Sequence, residues 1–350
     1  MKVMSTDSPP LGKFGEESLN RSVFPYLDKS DSCKTRLRFG SDYNVVELEE
    51  GNALVLSTDP LAISSELGWK RSGKLALHVI TTDVAVSGIS PGYLVVNWNL
   101  PPNMTDKTFE KVWQGFTSEA ARVGVKVVGG HTGRYKSQTL PMVGAGTAFG
   151  VGPASKLLTG EFYPGDEIYL LNELGLEAAA IFAFYYPEVL SKDISTKTLT
   201  RVRQKFDMLQ PTSKLSIISS LPGVRLLHDV AEGGFLGGIQ ELLSSGDLGA
   251  RIDRDRVEVY PEVSQICRQT KLDPMRITSI GSGIAIVSSD QEGKFLQAAR
   301  KEGIEVEDVG EITDTGEIEI ITNHHEEETL TEPVKDEFWT RLSQFEEEFN

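Results

Sequence analysis

The chain has 350 residues, 39% of them hydrophobic, which is enough for more than one average domain core. Lys and Arg number 35 against 51 Asp and Glu, and the net charge of -16 at pH 7 repels nucleic-acid phosphates and anionic membranes. A small anion held by metal ions or backbone amides stays compatible with that balance, because net charge says little about a local pocket.

Cys33 and Cys267 lack the spacing of a zinc or redox pair, so a reduced, cytoplasmic protein is expected. Residues 1–13 hold Pro9-Pro10 and polar side chains instead of a signal-peptide core, and no stretch has the apolar length of a membrane span. After a Gly-rich opening around Lys13, residues 53–57 read as a strand that runs into Thr58-Asp59-Pro60, placing a carboxylate at a strand end. Residues 75–87 carry a pattern compatible with a helix containing Thr82-Asp83, and residues 93–97 read as a strand. Thr105 is the expected N-cap of a helix whose buried face is Phe109, Val112, Trp113, Phe116, Ala120 and Val123, with Gly124 ending it. Residues 125–128 are expected as a short buried strand and residues 129–133 as a loop, with a strand over 141–149 and a linker at 150–153. The domain boundary is therefore placed near residue 152.

In the second half, a turn at 164–166 precedes a strand over 167–171 and a helix over 176–184. Further helices are expected over 200–209, 213–220 and 291–301, and strands over 224–227, over 284–287 and near Val306 and Ile318. The 224–227 strand ends in His228-Asp229, and Glu232-Gly233-Gly234 then opens a helix with Leu236, Ile239 and Leu243 on one face, a phosphate-site layout. The expectation is a mixed α/β fold in three parts: residues 1–152, 153–323, and an acidic tail over 324–350 that is helical, with Phe338, Trp339, Leu342 and Phe345 on a partly apolar face.

Asp42, Asp59 and Asp83 lie in separate segments that folding could bring together as a Mg2+ site, since that ion takes one or two carboxylates beside phosphates and water. A lone Asp beside Gly, Pro or Ser is more often a turn residue. Paired glycines at 129–130 and 233–234 would let backbone N–H groups approach phosphate, although such pairs also serve as tight turns. His131 is a candidate to bond a phosphate, bind a metal or orient a substrate.

Gly40-Ser41-Asp42, Thr58-Asp59-Pro60, residues 82–91, Gly129-Gly130-His131-Thr132 and residues 228–234 occur in an order that resembles the aminoimidazole ribonucleotide (AIR) synthase superfamily. The likeness runs from about residue 13 to 321 and is greatest to the hydrogenase-maturation, HypE-like branch. This resemblance implies a PurM-like fold, in which an N-terminal β-sheet domain pairs across a homodimer as a barrel and a C-terminal α/β domain completes an ATP cleft. It implies that Asp42, Asp59, Asp83 and Asp229 bind Mg2+, with Gly129, Gly130, His131, Thr132, Gly233 and Gly234 at the nucleotide and Lys13 closing over the phosphates. The implied activity is phosphorylation of an amide, carbonyl or phosphate oxygen of a small-molecule substrate, with a maturation protein as a possible partner. Two positions depart from the pattern, Ser41 in place of a second acid and Thr82 in place of Asn or Ser. The hydrogenase-maturation enzymes end in a cysteine, whereas here the last cysteine is Cys267 and residues 346–350 are EEEFN, so full carbamoyl dehydration is not expected. Two alternatives stay open: a regulatory or maturation-complex protein that binds nucleotide without turnover, and a small-molecule kinase resembling thiamine-monophosphate kinase, which typically has an acid where His131 stands.

Overall fold

The computed structural model describes residues 16–27, 40–171, 174–244, 246–322 and 328–349. In the first half, helix α1 (Glu16–Ser22) precedes strands β1 (Asn44–Glu47) and β2 (Asn52–Ala62). Helices α2 (Trp69–Val79) and α3 (Thr82–Ala85) come next, then β3 (Tyr93–Leu100), α4 (Asp106–Val123), β4 (Lys126–Arg134) and β5 (Met142–Pro153). These strands form one sheet in the order β1-β2-β5-β3-β4, antiparallel except for the β3–β4 pair.

Alternation along the strands sends one set of side chains to a helix-covered core. On β3 this set is Leu94, Val96, Trp98 and Leu100, and α2 and α4 cover it. The α4 helix begins as its sequence dictates: the Thr105 hydroxyl accepts from the Thr108 N–H at 3.1 Å, and Gly124 closes the helix at φ 80°. Phe109, Trp113 and Phe116 meet the Trp98 ring edge-on at 5.5, 6.5 and 5.6 Å.

Four expectations are corrected here. The strand at 53–57 continues to Ala62 with Asp59 inside it; Pro60 is tolerated because β1 pairs no further than Leu56, leaving that side of β2 open. The helix expected over 75–87 is two helices, parted at Ile80 and Thr81. Residues 129–133 are not a loop but part of β4, whose exposed edge strand pairs with β3 from Tyr93↔Lys126 to Leu100↔Arg134; a partner strand outweighs the turn tendency of a glycine pair. Residues 150–153 extend β5 along β2, from Val55↔Gly150 to Asn52↔Pro153, instead of forming a linker.

The second half holds β6 (Glu167–Leu171), α5 (Leu176–Tyr185), α6 (Pro187–Leu190), α7 (Thr196–Asp207), α8 (Pro211–Ile218), β7 (Val224–Asp229) and α9 (Gly234–Leu243). It continues through β8 (Gly249–Asp253), α10 (Pro261–Thr270), β9 (Gly283–Val287), α11 (Glu292–Lys301), β10 (Glu307–Thr313), β11 (Ile318–Ile321), β12 (Glu328–Thr329) and α12 (Phe338–Phe349). Its seven strands run β12-β11-β8-β10-β6-β9-β7, with β8 and β11 parallel and the other pairs antiparallel. Both faces of β9 are buried, which explains why its sequence is apolar without alternation. One face packs on α9, and the other packs on α8 and α11. That second cluster also takes in Ala85 and Val86, so the segment carrying Asp83 is built into the core of the second half. The β8 strand and the α10 helix were not foreseen.

Candidate functional site

Four carboxylates from distant segments meet where the halves join. Asp42 stands two residues before β1, Asp59 lies on β2, Asp83 lies in the first turn of α3, and Asp229 ends β7. The hydroxyl of Ser57, also on β2, lies 2.7 Å from Asp83 Oδ2 and 3.2 Å from Asp59 Oδ2. The Thr82 hydroxyl bonds Asp229, so this departure from the family pattern still contributes a contact at the site. Enclosure pushes the Asp83 carboxyl well above the ordinary carboxylate range, with the charges of Asp229, Asp59 and Asp42 adding to the effect. Asp229 is pushed up to about 6, first by burial and then by Asp42.

His228 was read in the sequence only as the neighbour of Asp229. In the structure its Nδ1 lies 2.6 Å from Asp42 Oδ1 and 2.7 Å from Oδ2. Burial alone would lower this imidazole, but Asp42, Glu241 and Asp229 outweigh burial and lift it to about 9. Ligand atoms of Asp42, His228 and Asp229 all fall within 4.8 Å of one another. Clustered hard oxygen donors that repel one another fit a divalent cation, which would relieve that repulsion. A recess of about 70 Å³ opens beside Asp42, bordered by Tyr43, Val45, Leu158, Leu226 and Leu227.

The remaining candidates stand on other elements. Gly129, Gly130, His131 and Thr132 are on the exposed edge strand; the row Asp59↔Gly146↔Val96↔Gly130 puts Gly130 three strands from Asp59, about 14 Å at the usual strand spacing. The segment expected as a loop at the nucleotide is thus a strand at the sheet edge, and His131 Nε2 pairs with the Tyr135 hydroxyl at 2.7 Å. Gly233 caps α9, but its N–H donates at 3.0 Å to the Asp336 carboxylate, which also accepts from the Thr278 N–H at 2.8 Å. The anion position expected there is therefore taken by a carboxylate of the same chain. Gly234 has its own reason to be glycine: a Cβ would stand 2.6 Å from the Ile277 nitrogen. Lys13 lies outside the described residues.

Residues 40–151 match the N-terminal domain of AIR synthase related proteins, and residues 163–323 match their C-terminal domain. Carbamoyl dehydratase HypE of Cupriavidus necator is 27% identical over 289 residues, covering 80% of this chain and 79% of its own. Three solved structures share the fold. A chain of a HypE–HypF complex aligns at a TM-score of 0.72 and 20% identity, over 90% of this chain and 100% of its own. HypE in complex with ATP aligns at 0.68 and 19%, over 82% and 87%. AaThiL complexed with AMPPCP and TMP aligns at 0.65 and 14%, over 80% and 87%.

Proposed function

The chain belongs to the AIR synthase related proteins, and on that premise we propose that it binds ATP with Mg2+ between its halves and phosphorylates an amide, carbonyl or phosphate oxygen of a small metabolite. The meeting of Asp42, Asp59 and Asp83 from one half with Asp229 from the other carries this reading. Bound Mg2+ and ATP would supply the phosphoryl group and the positive charge that offsets the carboxylates. Asp42, Asp59, Asp83 and Asp229 would hold the ions, while Ser57 keeps Asp59 and Asp83 facing each other and Thr82 orients Asp229. Similarity to proteins solved with ATP and with AMPPCP supports nucleotide as the ligand.

Residues 1–152 are the ATP-binding and dimerisation domain in this reading, and residues 153–323 are the second domain. Cys267 is 3% exposed, with burial pushing its thiol up to about 12, which favours a free metabolite over a group carried on that sulfur. The partner readings are a homodimer, supported by the apolar outer face of the first sheet, and a maturation protein, supported by likeness to a HypE chain bound to HypF. The working compartment is the cytoplasm, a reading to which the absence of a membrane-crossing helix among the described residues is neutral.

Isothermal titration with ATP at saturating Mg2+ tests the site. The wild type is expected to bind, and Asp59→Asn to bind at least about tenfold more weakly, since even outer-sphere partners of a metal act on that scale. Metabolite-dependent phosphate release would establish turnover. No nucleotide binding in the wild type would overturn the reading, and binding without release under any metabolite screened would favour a regulatory protein.

A further inference from the structure

Three cations meet where helix α2 of the first half faces α7 of the second, in a chain whose net charge is -16. Arg71 and Arg203 both stand over the Phe184 ring, 4.3 and 5.2 Å from its centroid. Arg71 donates to Asp207 through Nε at 2.5 Å and Nη2 at 3.0 Å, and Lys74 Nζ donates to the Asp207 backbone carbonyl at 2.7 Å. Among the described residues, Asp207 is the one carboxylate within ion-pair distance of the three, and it pairs with Arg71. Arg203 donates through Nη2 to the Ala183 carbonyl, while its buried Nε meets no acceptor among the described residues. Elsewhere in the second half arginines are matched by acids, as in Arg225–Asp166, Arg254–Asp273 and Arg276–Glu328. A guanidinium has five N–H donors and an ammonium three, so Arg203 and Lys74 keep most of theirs unspent. Burial lowers the Arg203 guanidinium and the charge of Arg71 lowers it further, the surroundings of a cation that lacks its counter-charge.

A notch of about 10 Å³ opens beside these groups, bordered by Arg71, Lys74, His78, Phe206, Asp207 and Ile280, which is room for one oxygen atom. We propose that Lys74, Arg71 and Arg203 form an oxyanion site across the junction of the halves, and that its ligand is a phosphate group, free or at the end of a metabolite. One phosphate oxygen enters the notch at Lys74 and Arg71, and Arg203 adds its charge from α7. Asp207 keeps both oxygens on Arg71, so the positive charge left over is that of Lys74 and Arg203. Two such charges balance a phosphate dianion, where a single carboxylate would balance only one. This position is cationic by itself, unlike the aspartate cluster, which needs a metal before it can attract phosphate. Because α2 leads into α3, which carries Asp83, an anion bound here ties α7 to the helices that place that aspartate.

The test uses the full chain in EDTA, without Mg2+ or nucleotide, so that the aspartates hold no metal that could bind the anion. Isothermal titration with inorganic phosphate, at an ionic strength fixed with chloride, is expected to show one site with a Kd of about 1 mM or below. Lys74→Met and Arg203→Met should each weaken it about tenfold or more, the loss of one charge-assisted hydrogen bond, with folding checked by circular dichroism. Lys197→Met, which removes an exposed lysine from the same helix as Arg203, should leave the affinity unchanged. Glycerol phosphate binding as tightly as phosphate assigns the site to the end group of a metabolite, and binding of phosphate alone assigns it to the free ion. No phosphate binding in the wild type, an equal loss in Lys197→Met, or unchanged affinity in folded Lys74→Met and Arg203→Met proteins overturns the proposal. Each of those results leaves the ATP reading standing, because that reading is tested separately with Mg2+ present.

Discussion

The His78 ring faces Glu119 of α4 through Nε2 at 2.8 Å and Thr212 of α8 through Nδ1 at 2.8 Å, bridging the two halves. Burial lowers the imidazole despite the adjacent carboxylate, so the ring is neutral, donating to Glu119 and accepting from Thr212. Burial would raise Glu119, but the bonds from His78 and Arg122 outweigh it and hold the carboxyl at about 2, below the ordinary 4.5. A carboxyl depressed in this way stabilises the fold above pH 4.5 and loses that contribution as the pH falls towards 2. A histidine held below 6.5 adds to the loss from that pH downward, because the unfolded chain takes the proton first. Through these two groups the thermal midpoint is expected to fall on acidification from neutrality, against the opposite pull of Asp83 and Asp229, whose raised carboxyls take protons first in the folded state. Glu119→Gln should start lower and flatten the part of the curve below pH 4.5. Parallel curves for the two proteins would show that this network does not set the acid limb.

Helices α2 and α4 cross at glycines on both sides. A Cβ on Gly73 would stand 2.0 Å from the Val112 carbonyl oxygen, and one on Gly115 would stand 1.9 Å from that of Lys70. Neither contact can be relieved by rotating a side chain, because the obstructing atoms are backbone. Gly73→Ala is thus expected to force the helices apart and cost about 1–3 kcal/mol, the range of overpacked cores, read from the denaturant midpoint. The α2 helix carries His78 and leads into α3, so the same variant should weaken ATP binding by displacing Asp83. Full stability and binding in Gly73→Ala would mean that the crossing has more slack than its backbone distances imply. At the α9 N-terminus the chain supplies its own anion, Asp336, whose other oxygen accepts from the N–H of Phe338, the first residue of α12, at 2.8 Å. That contact ties the tail helix to the second half, where Phe338 and Phe345 pack edge-on against Phe182 at 5.8 and 5.1 Å.

At the scale of the molecule, the first sheet has helices on one face only among the described residues. Register carries Leu54 to Val151 and Leu56 to Phe149, Phe149 stacks on Tyr93, and Val95 follows two residues along β3. These six apolar side chains share the outward face, and Val151 is 53% exposed. An apolar sheet face of this kind is the surface that the proposed homodimer would cover. Light scattering behind size exclusion is expected to give twice the chain mass for the wild type. Val151→Asp, which buries a charge only if the face is covered, should give the monomer. A wild-type monomer would remove the dimer reading and leave the cleft untouched.

Helix α4 was legible because its signals are local: a threonine cap, a 3.6-residue apolar face and a terminal glycine act within the helix itself. The four aspartates were legible one at a time, as polar residues at the ends of apolar runs, and family resemblance grouped them. Their meeting was not legible, because the position of Asp83 depends on Ala85 and Val86 entering the core of the second half. His228 could have been noticed beside Asp229, but Asp42, its partner, is 186 residues away. The glycine pair at 129–130 was misread because glycine permits turn and strand alike, and the free edge of β3 settled the matter. Gly233 was read correctly as a helix start, yet nothing local announces that Asp336 fills its anion position. Period and capping act over a few residues and are written in the chain itself. Which carboxylates, imidazole and backbone amides face one another depends on how two cores pack, and that is a property of the folded molecule.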